Sequence, residues 1–302
     1  MINLVKETIS KHPAWMKSPG ATLSFMKMST PTSGRSLDKG KVLIFVFEQG
    51  LKTPTLCIKT TRSYSETTLI RQNYQNLCLL RAGIDGSNLD DLFATPLFLY
   101  DDKEVVFSIE SVCRGQLPPL DSNVLDSVSR MYGDWQVHLL KSSNPSNVWD
   151  ALEIRSHVKD TFVYLGSEVG IVEKIMEYYD GLPGRENIVL PVLTQHGDLT
   201  PNNVLLSSDH VSVVDYDFVG LSTLPGYDLF NFILKFKRHS GSFRTTCEPY
   251  LREYFKKIGV KILSLEALFF VYHVQEIKRK YQNVNKVSFD EIIKNYNSLI
   301  SQ

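Results

Sequence analysis

An unbroken apolar run, VLIFVF, fills Lys41–Glu48 (KVLIFVFE), and a second β-rich run, TLCIKT, covers 55–60. Short runs of this length rich in β-branched and aromatic residues read as strands. Residues 21–28, 92–100 and 104–111 (EVVFSIES) read the same way, the last two hinged at 101–103. The first 115 residues therefore predict five strands and a short leading helix at 4–17. One further helix is predicted at 65–81, with Leu69, Asn73, Leu77 and Leu80 on one face. Ser65 is placed to cap it and Glu66 to favour its first turn. Gly115 and two prolines by 119 interrupt both patterns. Beyond them the period becomes helical, at 121–140, 158–179, 229–238, 245–257, 263–282 and 289–300. The reading is an α+β chain: a small five-stranded antiparallel domain with one helix, 1–115, then a larger, mostly helical domain, 116–302.

One stretch departs from both periods. Residues 195–220 read QHGDLTPNNVLLSSDHVSVVDYDFVG. His196-Gly197-Asp198 opens it, and Asn203 stands five residues after Asp198. Two short β-rich runs follow, separated by the turn residues Ser207, Ser208 and Asp209. The second run ends on Asp215-Tyr216-Asp217, and a hairpin of this kind returns the chain toward its starting end. An acidic base, an amide oxygen and a second carboxylate in this order fit phosphoryl transfer.

These residues resemble the catalytic loop and metal-binding segment of the aminoglycoside phosphotransferase and choline kinase group, a branch of the protein-kinase-like fold. The resemblance makes Asp198 the base that takes the acceptor's hydroxyl proton. Asn203 and Asp215 become ligands of Mg²⁺ on the phosphates of ATP or GTP, and His196 props the loop. Lys59, on the third strand, corresponds to the lysine that neutralises the α- and β-phosphates. The turn-rich loop at 31–36 offers Ser33 and Gly34 as backbone donors to phosphate. The connector Ile109–Gly115 offers the main chain of Glu110 and Val112 to an adenine ring. Asp228, in a Tyr-Asp-Leu segment, corresponds to the aspartate that braces the catalytic loop. The family's helix glutamate is missing: its position holds Asn73, and Glu66 lies at the helix start. Thr200 stands where protein kinases carry a lysine, which favours a small-molecule acceptor.

Composition narrows the partners. The chain has 33 basic and 33 acidic residues in 302, so its total charge carries no nucleic-acid footprint. The balance is uneven, however: 221–302 hold 13 basic against 7 acidic residues. In this fold that half builds most of the acceptor pocket, so an uncharged or anionic hydroxyl acceptor suits it better than a polycation. The four cysteines form no C-x-x-C pair, which excludes a zinc motif and points to reduced thiols. No apolar signal core and no run of 18 apolar residues is present, so a cytoplasmic protein without a membrane span is expected. The alternative to a kinase is a nucleotide-binding pseudokinase or scaffold without turnover.

Overall fold

The computed structural model describes residues 1–29, 40–119, 122–143, 147–236, 243–280 and 288–301. It divides into two compact units. The first joins Met1–Gln116 to Leu205–Asp217, and the second joins Leu117–Val204 to Phe218–Gln302.

In the first unit, helix α1 (Ile2–Ser10) precedes strands β1 (Leu23–Ser29), β2 (Lys41–Glu48) and β3 (Leu56–Thr61). Helix α2 (Thr67–Ala82) then leads to β4 (Pro96–Asp101) and β5 (Val106–Ser111). The strands form one antiparallel sheet in the order β1-β2-β3-β5-β4. Alternation along β2 sends Val42, Ile44 and Val46 to one face, where they meet Val5 and Ile9 of α1 with Ile58, Phe107 and Ile109. The other face of β3 and β5 receives α2.

Helix α2 differs from its sequence expectation in start and in buried face. Residues Tyr64–Glu66 form a separate 3₁₀ turn, and Ser63 rather than Ser65 accepts a capping N–H. The buried face is Ile70, Asn73, Asn76, Leu77 and Leu80, while Leu79 points to solvent. Glu66 is turned away from the strand lysine and accepts the Gly40 N–H at 2.7 Å.

The hairpin of β8 (Val204–Leu206) and β9 (Val211–Val213) lies late in sequence, yet from Leu205 onward it packs with the first unit. Gln116 and Leu206 exchange both backbone bonds, at 2.9 and 2.8 Å, and Val213 N–H reaches Leu92 O at 2.7 Å. Gly115 makes the first approach possible. Its φ is +126°, and a Cβ there would stand 2.6 Å from Leu206 O.

The second unit is helical: α3 (Ser122–Ser143), α4 (Ala151–Tyr164), α5 (Val169–Asp180), α6 (Tyr227–Phe236), α7 (Phe243–Lys257), α8 (Glu266–Lys280) and α9 (Phe289–Ser301). A two-residue pairing of β6 (Val148–Trp149) with β7 (Leu190–Pro191) adds a short sheet. The single helix expected at 158–179 is two. Gly166, at φ +69°, breaks the run, and Asp150 with Glu153 forms a capping box that starts α4 earlier than expected. The core is rich in wholly buried aromatics, among them Tyr132, Phe162, Phe230, Tyr254 and Tyr272. Among the described residues no helix is long and apolar enough to cross a membrane.

Gly115→Ala combines a forbidden φ with a clash against backbone, so it is expected to cost about 2–4 kcal/mol. Urea unfolding of the variant beside wild type measures the loss, and a change below about 0.5 kcal/mol would contradict the close approach.

Candidate active site

The second unit contains Asp198 and Asn203. Pro201–Asn203 form a 3₁₀ turn with Pro201 at its first position, closed by Asn203 N–H to Thr200 O at 2.9 Å. The turn aims the Asn203 amide back at Asp198. Its Nδ2 donates to Asp198 O at 2.9 Å and to Asp198 Oδ2 at 3.2 Å, so the amide oxygen is the atom left for a cation.

The loop is held from behind by one buried carboxylate. Asp228, fully buried in the first turn of α6, accepts the N–H of His196 at 2.5 Å and of Gly197 at 2.9 Å. His196 is itself fully buried. Gly197 sits at φ +83°, and a Cβ there would run into the Phe218 carbonyl oxygen. Burial pushes the Asp228 carboxyl up to about 7, against the pull of N–H groups from His196, Gly197 and Leu199.

A cation from α8 meets the Asp198 carboxylate. Arg279 donates from Nη1 to Asp198 Oδ1 at 2.8 Å. Its Nε and Nη2 each reach a Glu276 oxygen at 2.9 Å, and Lys235 adds a 2.6 Å contact to the same carboxylate. Burial opposes charge on Glu276, but Arg279 and Lys235 hold its carboxyl below the usual range. In the sequence Arg279 is one of 13 basic residues over 221–302, and nothing local marks it. Only its position on α8, 81 residues beyond Asp198, gives it a role.

The first unit contains the strand lysine and the acidic end of the hairpin. Lys59 is buried and donates to Asn73 Oδ1 at 3.0 Å and to Glu110 Oε1 at 2.9 Å, with the Tyr216 ring 4.8 Å away. Burial works against its charge, yet Glu110 holds the ammonium pKa above the ordinary value. The partner that α2 lacks thus comes from β5. Asn73 and Glu110 share the lysine, and Glu66 takes no part. Asn73 also donates to Asp217 Oδ1 at 2.7 Å.

Asp215 has φ +68°, the one left-handed non-glycine residue among those described, a conformation that functional sites tolerate and other positions rarely keep. Tyr216 beside it is buried; its O–H donates to Val213 O at 2.9 Å and accepts the Ala94 N–H at 3.1 Å. The carboxylates of Asp215 and Asp217 converge on the ammonium of Lys41, at 2.6 and 2.5 Å. Sequence reasoning missed Lys41 because it reads as the polar residue that opens an apolar strand. Two carboxylates already drawn to one cation suit Mg²⁺, which prefers few protein oxygens and completes its shell with phosphate and water.

Val112 lies past the end of β5 and, with Trp15, Pro54, Thr55, Cys113 and Gly115, lines a cavity of about 570 Å³. Glu110 lies inside β5, where β3 and β4 flank it. Its side chain has a task that the expected main-chain role did not include. Ser33 and Gly34 fall outside the described residues.

No family model and no curated protein matches the sequence. Solved structures do match. The chain is similar to a macrolide 2'-phosphotransferase from Brachybacterium faecium, at 13% identity and TM-score 0.57, over 99% of this chain and 97% of that one. It is similar to a choline kinase from Streptococcus pneumoniae, at 13% identity and TM-score 0.54, over 99% and 97% of the two chains. It is also similar to the GDP complex of an aminoglycoside 2'-phosphotransferase variant, at 12% identity and TM-score 0.52, over 99% and 93%. These likenesses establish the protein-kinase-like fold that the catalytic-loop motif implied.

Asp228 gives a pH signature. An ordinary aspartate ionises near pH 4 when unfolded, whereas here the folded group ionises at about 7. Its contribution to stability is therefore fully present below about pH 4 and is lost as pH rises through 7. The stability difference between wild type and Asp228→Asn should fall, in wild type's disfavour, by about 2 kcal/mol from pH 5 to pH 7.5. Paired urea titrations at the two pH values measure it, and a constant difference would remove Asp228 as the titrating group.

Proposed function

We propose that the chain is a kinase that transfers the terminal phosphate of a nucleoside triphosphate to a hydroxyl of a small molecule. The observation that carries this is the Asp198–Asn203 pair. A carboxylate and an amide are locked to each other on a loop braced by Asp228, in the residue order phosphoryl transfer needs. The activities printed for the structural neighbours, macrolide and aminoglycoside phosphotransferases and a choline kinase, support the same reaction class.

In this reading Asp198 orients the acceptor O–H and accepts its proton. The hydroxyl oxygen bonds to the γ-phosphorus, the bond to the bridging oxygen breaks, and the nucleoside diphosphate leaves. Asn203 keeps the carboxylate aimed while this happens. Mg²⁺, held by Asn203 and Asp215, would neutralise phosphate charge. Most of the acceleration then comes from alignment and fixed charge.

Arg279 bears on the acceptor. A guanidinium on Asp198 Oδ1 repels an ammonium brought to the same carboxylate. That favours a neutral or anionic acceptor over a polycationic antibiotic. The same contact favours one other reading, a nucleotide-binding protein without turnover whose base stays covered by Arg279. ADP or GDP release across a panel of sugars, sugar acids, amino alcohols and nucleosides separates the two readings. Acceptor-stimulated release supports the kinase, and nucleotide binding without it supports the pseudokinase.

Two variants test the assignments. Asp198→Asn should lower kcat by at least ~10²-fold with nucleotide affinity nearly intact, as loss of general-base catalysis does. Steady-state kinetics with the best acceptor decides it, and wild-type turnover would sink Asp198 as the base. Asp215→Ala removes an anionic metal ligand that an amide cannot replace. Calorimetry of nucleotide binding with and without Mg²⁺ should then show no metal-dependent gain, and an unchanged gain would transfer the role to Asp217.

A further inference from the structure

The fold family's strand lysine is the expected phosphate contact, and Lys59 occupies its place. Its surroundings make that role expensive. Lys59 and Glu110 form a buried pair, with side chains 8% and 6% exposed. Two of its three N–H donors are directed at Glu110 and Asn73, and the Tyr216 ring covers another side. Drawing this ammonium to a phosphate would leave the Glu110 carboxylate buried without its cation, a strongly unfavourable state.

Lys41 has the opposite setting. Leu43 pairs with Lys59 in the β2–β3 register, so Lys41, two residues earlier, projects from the same sheet face as Lys59. Its side chain is 13% exposed, and its partners Asp215 and Asp217 are 43% and 23% exposed. Asp215 is the carboxylate assigned above to Mg²⁺, and Asp217 converges on the same ammonium. A divalent cation held at Asp215 would replace the charge of Lys41 in kind. The ammonium would then be available to an anionic phosphate without leaving those carboxylates uncompensated.

We propose that Lys41, on β2, is the lysine that binds the nucleotide's phosphates, and that Lys59 is a positioning residue that ties Glu110 and Asn73 into the sheet. The proposal rests on the nucleotide-binding reading above. It predicts an exchange: with apo protein Lys41 neutralises Asp215 and Asp217, and with Mg²⁺–nucleotide it neutralises phosphate.

Calorimetry and thermal shift with Mg²⁺–ATP and Mg²⁺–GTP test this on wild type, Lys41→Met, Lys59→Met and the double variant Lys59→Met/Glu110→Gln. Lys41→Met should melt close to wild type without nucleotide and bind the preferred nucleotide at least ~10-fold more weakly, the loss of one charge-assisted contact. Lys59→Met should melt lower, because it strands Glu110. The double variant, which removes that stranded charge, should recover melting temperature and bind nucleotide within ~3-fold of wild type. Equal nucleotide affinity in wild type and Lys41→Met overturns the proposal while leaving the kinase reading intact. So does a stable double variant that has lost nucleotide affinity, since Lys59 would then be the phosphate lysine. Wild type that binds neither nucleotide overturns both.

Discussion

One buried carboxylate organises the second unit. Asp228 accepts the backbone N–H groups of His196 and Gly197, with Leu199 adding to them. A loop of irregular backbone cannot satisfy its own donors, and in a protein interior each unmade bond is costly. The carboxylate answers this by accepting several N–H groups at once. The cost appears as its raised pKa, and the return is a loop with one conformation. Gly197 belongs to the same constraint, because only a residue without Cβ fits between that carboxylate and the Phe218 carbonyl. Asp198 and Asn203 stand on a loop whose backbone is held by Asp228.

The first unit meets a different problem, two lysines projecting from one sheet face. It resolves them differently. Lys59 lies deep, so its charge needs close partners, and the register supplies one. Lys59 pairs with Ser108, so Glu110, two residues further along β5, stands diagonally across on the same face. Lys41 lies at the strand start, where its partners Asp215 and Asp217 keep access to solvent. A deep pair is fixed by desolvation, while a shallow one can be exchanged for other ions. The two lysines therefore differ chiefly in how far their carboxylate partners reach solvent.

The sequence carried the elements with local signatures. Five strands, the hairpin and the motif residues Asp198, Asn203, Asp215 and Asp228 lie in contiguous patterns, and each pattern states a backbone requirement. Helix α2 was legible as a helix but not in phase, because the turn at Tyr64–Glu66 absorbs residues that look like its first turn. The break at Gly166 was hidden by apolar residues that keep helical spacing on both sides of it. The partners of the charged groups were not legible. Glu110 reaches Lys59 through strand register, and Arg279 reaches Asp198 through the packing of α8, so neither pairing leaves a mark in local sequence. Lys41 looked like any polar residue at the start of an apolar strand. Ionic partners are chosen in three dimensions, and a neutral Asn73 at the expected glutamate position recorded only that the usual choice had not been made.

That neutral Asn73 is itself informative about what the fold requires. A helix carboxylate beside Lys59 would add a second anion near Glu110 and Asp217, which already bear on the same lysine and the same amide. An asparagine relieves that repulsion and still bonds both ways, its oxygen to Lys59 and its nitrogen to Asp217. Once Glu110 supplies the anion, the helix position is better held by an amide that couples the lysine to the acidic hairpin end. Phosphoryl transfer asks for positive charge and correct placement, not for a given strand to provide them. A sheet face that carries Lys41 and Lys59 two residues apart in register can move the charge-bearing task from one to the other without changing the fold.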